Sequence, residues 1–192
     1  DKWMLNTTGT GTRWNKKNDF RVVRRDEKRV LGFGSFLRVS MGLIRRTFNS
    51  SSNISDCLGS ILIQSYKNLE IIIIDGSSED NTLSIITSKV NKRNNVTLVS
   101  GKDKGIYDAL NKGIKLANGD IIGFVHSDDL LVSPLIISEI VEKISEENLD
   151  GVYGDLNYVQ KFNVNKIVRK WKSCDFDFNL LKKGWMPAHP TL

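Results

Sequence analysis

The sequence predicts an α/β domain of three layers, with a mostly parallel sheet and a small antiparallel addition. Short β-branched runs, of which LEIIIID (69–75) is the clearest, alternate with segments whose apolar residues recur every three or four positions. Such alternation is typical of βαβ units, which place helices on both faces of a parallel sheet. After residue 150 two strand-like runs follow each other directly, GVYGDLNYV and KIVRKW, and these indicate the antiparallel addition.

The individual elements follow from local signals. Asn53 can cap a first helix whose apolar face is formed by Ile54, Cys57, Leu58, Ile61 and Leu62. A buried strand and a second helix follow, separated by the turn DGSSEDNT. The later predicted elements are a strand at 96–99, a helix outlined by residues 106–117, a strand at 121–125 and a helix at about 134–145.

Length and composition indicate one soluble globular domain. The chain has 192 residues, of which 40% are hydrophobic and 26% charged. No apolar run approaches the roughly 18 to 20 residues that span a bilayer, and no signal peptide is recognisable, so we expect a cytoplasmic protein. Cys57 and Cys174 have no metal or redox spacing, and we interpret both as ordinary reduced cysteines.

The basic excess is confined to the beginning of the chain. Residues 1–50 carry 12 Lys and Arg against 4 Asp and Glu, a net charge of +8, whereas the remaining 142 residues carry 16 against 18, a net charge of −2. Residues 1–40 show no helical or strand period, and we expect an irregular basic leader followed by a domain at 41–192. Nucleic-acid binding by this leader ranks low, because it contains no recognised reader motif.

Two acidic turns follow predicted strands and are expected to line one crevice, because ligands of such sheets bind beyond the carboxyl ends of the strands. Asp128 and Asp129 either cap the next helix or bind a divalent ion that also bridges substrate phosphates. Asp75, in the first turn, either shapes an ordinary Asp-Gly turn or hydrogen-bonds a nucleobase.

A third candidate feature is the helix entrance in GKDKGIYDALNKGIKLANGD, residues 101–120. Lys104 and Gly105 stand where free backbone amides and the positive end of the helix dipole favour an anion. Asp108 and Asn111 are three residues apart and share one face of this helix. A solvated polar face is the alternative interpretation.

These motifs together resemble the family 2 glycosyltransferases of the GT-A fold, in particular the bacterial branch that builds cell-surface polysaccharides. The resemblance runs from TFNSSSNISDCLGS through DKGIYDALNKGIKLANGDIIGFVHSDD to KKGWMPAHPT, about residues 47–192. It implies transfer of a sugar from a nucleotide-diphosphate donor to an acceptor hydroxyl, usually with inversion and with Mg²⁺ or Mn²⁺. The alternative is a non-catalytic, nucleotide-binding remnant of such an enzyme.

The resemblance also implies roles for individual residues. Asp129 matches the direct metal ligand that assists the leaving group, and Asp128 a ribose or secondary metal contact. Asp155 and His189 match the side that faces the acceptor. The positions that match contacts to the donor, besides Asp128, are Thr47, Phe48, Asn49, Asp75, Asp103, Lys104, Asp108 and Asn111.

Two departures from the family pattern lead to further expectations. Arg45 and Arg46 precede the TFN turn where relatives have an apolar strand, so this strand ends early or its arginines reach solvent or phosphate; a fused or frame-disturbed leader is our hypothesis. Relatives also continue past HPT (189–191) and carry their general base there, so we expect the C-terminal part of the domain to be missing.

The expected partners are a nucleotide-sugar donor and a saccharide or lipid-linked saccharide acceptor, without nucleic acid. Lipid-linked acceptors imply peripheral contact with the inner face of the membrane.

Overall fold

The computed structural model describes residues 2–5, 20–23, 39–41, 46–47, 49–147, 149–160 and 163–185. Its strands are β1 Lys2–Leu5, β2 Phe20–Val23, β3 Val39–Met41, β4 Arg46–Thr47, β5 Leu69–Asp75, β6 Val96–Ser100, β7 Asp129–Leu131, β8 Gly151–Gly154, β9 Leu156–Gln160 and β10 Asn163–Trp171. Its helices are α1 Ile54–Leu62, α2 Thr82–Val90, α3 Ile106–Leu116, α4 Ile136–Glu147 and α5 Phe178–Lys182.

Strand β5 is the centre of the parallel sheet. It pairs in parallel with β6 along one edge, from Ile71 to Asp75, and with β3 and β4 along the other. Alternate side chains of β5 enter two different apolar clusters. Ile71 and Ile73 pack with α1, α2 and α4, whereas Ile72 and Ile74 pack with Ala109 of α3. The predicted three-layer α/β architecture is therefore confirmed around this strand.

The antiparallel addition is also confirmed. β9 pairs with β10 and with β1 in antiparallel orientation, while β1 pairs with β7 in parallel, giving the order β10-β9-β1-β7. β2 and β8 form a separate antiparallel pair. Within the ranges that the structure describes, no helix is long and apolar enough to cross a membrane.

The structure describes short strands within residues 1–40, where the sequence predicts an irregular leader; the leader as a separate segment stays a prediction. Lys2–Leu5 and Phe20–Val23 are strands, and each pairs with a strand more than a hundred residues later in the chain. Local periodicity carries no information about a partner so distant, and a four-residue strand is too short to show a period of two clearly.

The strand before Thr47 is described in two short parts. Met41 lies opposite Ile71 and Arg46 opposite Ile74, so the chain advances five residues (41 to 46) where β5 advances three (71 to 74). Arg46 belongs to the ladder through its backbone, whereas Arg45 lies outside the described residues. The expectation that these arginines reach solvent or phosphate stays a prediction.

The strand predicted at residues 121–125 is wrong. Only Ile121 forms a bridge, and the strand of this region is β7, which begins at Asp129. Burial nevertheless alternates as a strand pattern predicts, with Ile121, Gly123 and Val125 buried and the two residues between them half-buried. The apolar run thus identified a buried segment correctly, but burial alone does not provide a ladder partner.

Candidate functional site

The carboxylate of Asp75 lies at the end of β5, as predicted, and is completely buried. Its Oδ1 accepts hydrogen bonds from the hydroxyls of Thr47 and Ser78, the latter at 2.6 Å. Its Oδ2 accepts from the backbone amide of Ser78 at 3.0 Å and from Ser100 Oγ at 2.8 Å. Four donors from three segments therefore converge on one side chain, which we call the Asp75 network (Thr47, Asp75, Ser78, Ser100).

Two opposing effects set the pKa of Asp75. Burial raises the pKa, but the hydrogen bonds from Ser78, Thr47 and Ser100 together outweigh burial and hold the pKa below its usual value. The side chain is therefore a charged acceptor at neutral pH. Because its acceptor positions are occupied by the protein, a nucleobase could bond to it only after the network opened, which favours a structural role over direct base contact.

The turn after β4 is tied to the turn after β5 by further hydrogen bonds. Asn49 donates its backbone amide to Ser78 Oγ at 3.2 Å and accepts from the amide of Glu79 at 3.0 Å. The amide of Ser51 donates to Asp80 Oδ2 at 3.0 Å, and that of Ser50 to Thr82 Oγ1 at 2.9 Å. These contacts hold the two turns as one unit at the carboxyl ends of β4 and β5.

Asp80 also fixes the start of α2. Its Oδ1 accepts from the amide of Thr82 at 2.9 Å and from the Thr82 hydroxyl. The hydrogen bond from the Thr82 side chain is the largest cause that holds the pKa of Asp80 well below its usual range. Sequence reasoning included Asp80 in the first acidic turn without giving it a role of its own, and it missed Ser78 and Ser100. Their signal was position, since all three lie at or just after the ends of neighbouring parallel strands.

Asp103 lies against the turn that follows β5. A Cβ added to Gly76 would come within 2.8 Å of Asp103 Oδ2, so only glycine fits beside this carboxylate without displacement. Asp103 Oδ1 accepts from the amide of Gly105 at 3.0 Å, and the amide of Gly101 donates to the carbonyl of Asp75 at 2.9 Å. The structure therefore brings Thr47, Asn49, Asp75 and Asp103 together at one sheet edge.

The entrance of α3 differs from a vacant anion site. The amide of Lys104 donates to Asp108 Oδ2 at 3.0 Å, and Asp103 accepts the amide of Gly105, which has a φ of 122°. Asp108 also forms an ion pair with Lys112 at 2.9 Å, and the hydrogen bond from Lys112 is the first cause that lowers the Asp108 pKa. Two carboxylates thus bind amides that an anion would otherwise meet, whereas Lys104 and Asn111 are exposed.

The two adjacent acids Asp128 and Asp129 differ in exposure. Asp129 is the first residue of β7 and is 2% exposed, and its Oδ2 accepts the amide of His126 at 2.8 Å. Asp128 occupies the preceding turn and is half-buried. Asp128 is therefore the acid nearer the surface, whereas a metal shared with substrate phosphates requires an accessible carboxylate. The resemblance implies Asp129 as the direct metal ligand, and that assignment stays a prediction.

The expectation that both acidic turns follow strands is only half right. Asp75 ends β5, but Asp129 begins β7, which belongs to the sheet of β1 and β9. The turn from His126 to Asp129, which we call the acid turn, is anchored to α1 by the Cys57 thiol, whose Sγ donates to the carbonyl of His126 over 3.3 Å. Among the described residues no group of three or more His, Cys, Asp or Glu side chains is placed to hold a metal.

The structure describes one of the two residues that were predicted to face the acceptor. Asp155 Oδ1 accepts both the backbone amide and the hydroxyl of Ser173, each at 2.9 Å, and so connects the β8–β9 junction to the segment after β10. The carbonyl of Cys174 accepts the hydroxyl of Tyr153 at 2.9 Å in the same region. His189 lies outside the described residues, as does Phe48 of the donor set.

Comparison with known sequences gives a match to one family and to several of its members. The sequence model of glycosyl transferase family 2 matches residues 44–188. A PGL/p-HBAD biosynthesis glycosyltransferase of Mycobacterium bovis is 34% identical over 116 residues, 59% of this chain and 45% of the relative. The Escherichia coli UDP-Glc:alpha-D-GlcNAc-diphosphoundecaprenol beta-1,3-glucosyltransferase WfaP is 36% identical over 100 residues, 52% of this chain and 39% of the relative.

Solved structures give the same fold. The mannosyltransferase PcManGT from Pyrobaculum calidifontis, in complex with GDP-Man and Mn²⁺, is 25% identical with a TM-score of 0.53, over 58% of this chain and 33% of that one. Staphylococcus aureus TarS in complex with UDP is 26% identical with a TM-score of 0.53, over 59% of this chain and 34% of that one. This chain spans less than half the length of the M. bovis and E. coli relatives. The match over residues 44–188, together with the GT-A fold of the structural neighbours, shows that the chain belongs to glycosyl transferase family 2.

Proposed function

We propose that this chain forms the donor-binding part of a glycosyltransferase that moves a sugar from a nucleotide diphosphate to an acceptor hydroxyl. The observation that carries the proposal is the joining of the β4, β5 and β6 ends by the Asp75 network, with Asp103 packed against Gly76. In open α/β sheets, ligands bind at this carboxyl edge. Two structural neighbours are recorded with nucleotide ligands, one with GDP-Man and one with UDP.

The buried and the exposed residues of this edge have different proposed tasks. Thr47 and Asp75 hold the shape of the two turns, because both are completely buried. Asn49, Lys104 and Asn111 are exposed, and we assign them the contacts with the donor. Lys104 supplies a positive charge for phosphate oxygens at the start of α3, where the helix dipole adds to the attraction. Asp103 and Asp108 keep the entrance ordered until phosphate approaches.

A divalent ion, Mg²⁺ or Mn²⁺, fits the acid turn if the substrate completes its coordination. Magnesium is commonly bound through one or two carboxylates together with substrate phosphates, so the half-buried Asp128 beside the buried Asp129 would supply the protein's part of the donor set. When bound, such an ion neutralises negative charge on a departing diphosphate. We assign Asp128 the direct contact, and Asp129 the task of holding the turn through the His126 amide.

In the proposed reaction an acceptor hydroxyl oxygen bonds to the anomeric carbon while the bond to the nucleotide diphosphate breaks, inverting the configuration. The hydroxyl proton passes to a general base, which we do not assign to a residue of this chain. The acceptor that we propose is a saccharide or a lipid-linked saccharide, because the acceptor named for WfaP is a diphosphoundecaprenol-linked sugar. The proposed location is the cytoplasm, at the inner face of the membrane.

Isothermal titration calorimetry of the chain with UDP and with GDP, each with and without Mn²⁺, tests this proposal. We expect one nucleotide to bind, more tightly with Mn²⁺ than without it, and Lys104→Ala to weaken this binding. Lys67→Ala is the matched control, because Lys67 is also exposed but lies at the opposite end of β5. Absence of binding to either nucleotide in the presence of metal would refute the proposal.

The second candidate is a nucleotide-binding remnant without transferase activity. It needs only the donor-side edge held by the Asp75 network, and no general base. Release of free nucleotide diphosphate from UDP-sugars or GDP-sugars in the presence of mixed saccharide acceptors distinguishes the two candidates. Tight binding without such release identifies the remnant, and acceptor-dependent release identifies the enzyme.

A further inference from the structure

The last strand of the mixed sheet, β10, is exposed over nearly its whole length. It pairs with β9 along one edge, and its first eight residues are all exposed, which leaves both of its faces open to solvent. The exposed side chains are of two kinds. The basic ones are Lys166, Arg169 and Lys170 within β10 and Lys172 just after it, and the aliphatic ones are Val164, Ile167 and Val168. We call this set the basic edge.

The charge of the basic edge contrasts with the sequence before it. Residues 163–172 contain four basic side chains and no acidic one, whereas residues 118–160 contain nine acidic side chains and a single lysine. The acidic stretch includes the turn at Asp128, so the acidic and basic residues are separated along the sequence. A local excess of +4 in a body of slightly negative net charge favours an anionic partner.

The basic edge also carries exposed aliphatic side chains. Val168 is 54% exposed, Ile167 41% and Val164 36%, and all three lie within six residues of the cations in the same strand. Arg169 keeps its guanidinium 5.3 Å from the centre of the Tyr158 ring on β9, a cation–π contact that orders this cation. Cations beside exposed aliphatic groups match the boundary of an anionic bilayer, where headgroups meet acyl chains.

We propose that the basic edge is a peripheral membrane-contact surface that binds anionic lipid headgroups. The proposal rests on the proposed function in one respect, since a lipid-linked acceptor would require the enzyme to work at a bilayer. The simpler explanation is that lysines on an open edge strand only prevent strand-to-strand aggregation. That explanation requires no affinity for lipid, and vesicle binding therefore separates the two.

The test is co-sedimentation of the purified chain with vesicles of phosphatidylcholine alone and with about 30% phosphatidylserine. We expect binding only to the anionic vesicles, with loss of binding as the salt concentration rises from about 0.1 M to 0.5 M. The triple variant K166Q/R169Q/K170Q should bind roughly a hundredfold more weakly, because each basic side chain near an anionic surface contributes a factor of about five.

A matched triple variant, K67Q/K89Q/R93Q, removes the same three charges from exposed positions elsewhere and should keep its binding. Val168→Ser should weaken binding severalfold and leave the salt dependence unchanged, whereas Val99→Ser, at a 37% exposed position of β6, should have no effect. Thermal unfolding followed by circular dichroism checks that every variant is folded.

Three results would overturn the inference: no binding to anionic vesicles, equal binding to neutral vesicles, or equal weakening by both triple variants. Binding to polyglutamate or RNA without binding to vesicles would assign the surface to an acidic macromolecule instead, and would also overturn it. Donor calorimetry without lipid is independent of these measurements. Failure of vesicle binding with intact donor binding therefore removes the membrane surface and leaves the proposed function in place.

Discussion

Thr47 donates its hydroxyl to the buried carboxylate of Asp75 across the pair of parallel strands β4 and β5. Both side chains are completely buried, and the two residues are partners in the strand register. The bond joins the turn after one strand to the turn after its neighbour, which are the segments to which we assign donor binding. Removing this hydrogen bond should therefore change both the stability of the domain and the geometry of its site.

Thr47→Val tests the energetic part of this relationship. Valine has nearly the shape of threonine but donates no hydrogen bond, so the buried carboxylate loses one of its donors. We expect the free energy of unfolding to fall by about 1–3 kcal/mol, as measured by urea denaturation. Thr97→Val in β6 is the matched control, because Thr97 is exposed and a surface substitution changes stability by only about 0.5 kcal/mol. Equal losses in the two variants would contradict the assigned role.

Stability should decrease in acid because of Asp75. Burial raises its pKa, but the hydrogen bonds from Ser78, Thr47 and Ser100 together lower it by more, so the folded pKa lies below the ordinary value of 3.8. A carboxylate with a depressed pKa contributes stability that is present above the unfolded pKa and is lost as pH falls through the folded pKa. We expect this contribution to be constant from about pH 5 to 7 and to be lost below about pH 4.

Asp75→Asn should flatten the acid branch of the stability curve, measured as the urea midpoint at several pH values, and should lower stability at neutral pH. Asp80 and Asp108 also have lowered pKa values, so part of the acid dependence remains in this variant. Asp120→Asn, at an exposed position, is the control. An unchanged slope below pH 4 in Asp75→Asn would show that the network does not hold the charged carboxylate.

Glu139, in the first turn of α4, should affect the pH dependence of stability with the opposite sign to Asp75. Burial and the charge of Glu142 raise its pKa, and its buried Oε2 has no hydrogen-bond partner among the described residues. The charged form is therefore disfavoured in the folded state, and this cost disappears as pH falls and the group is protonated. We expect Glu139→Gln to raise the urea midpoint at pH 7 and to have little effect near pH 4.

The helix dipole opposes the expected rise in stability of Glu139→Gln, because a negative charge in the first turn of a helix is favourable. Glu146→Gln is the control on the same helix, since Glu146 is exposed and lies near the other end. A loss of stability at pH 7 in Glu139→Gln would mean that the dipole outweighs the burial of the charge.

The sequence predicted burial better than pairing. The run of isoleucines in β5 was identified as a strand covered on both faces, and its alternate side chains do enter two separate clusters. The run at 121–125 has the same local signal and alternating burial, but it forms no strand, and β7 instead pairs Asp129 with Trp3. That partner lies 126 residues earlier in the chain (129 − 3), where no local period could indicate it.

In the site, too, the sequence predicted where a residue lies better than which residues it contacts. Asp75 was predicted correctly at a strand end, but the donors that occupy it come from β4, β6 and its own turn, and only the assembled sheet brings them together. The charge of Asp128 and Asp129 was evident from the sequence. Their difference in exposure was not, because it depends on β7 beginning at the second of the two acids.

The difference between the two acids leads to the last prediction. Asp128→Asn should weaken Mn²⁺-dependent nucleotide binding at least tenfold and leave the thermal unfolding temperature nearly unchanged, because this side chain is half-buried and lies in a turn. Asp129→Asn should lower the unfolding temperature, since Asp129 is 2% exposed and its carboxylate holds the His126 amide. Calorimetry with and without Mn²⁺ and thermal melts of both variants make the comparison.

Asp120→Asn again serves as the control, with neither quantity expected to change. If Asp129→Asn abolished metal-dependent binding at an unchanged unfolding temperature, while Asp128→Asn bound normally, the order implied by the family resemblance would be correct. The buried carboxylate would then have to become accessible when the donor binds, and an opening of the turn that breaks the hydrogen bond between Asp129 Oδ2 and the His126 amide is one way to expose it. Amide hydrogen exchange at His126 would detect that opening directly, as a loss of protection on addition of nucleotide and Mn²⁺.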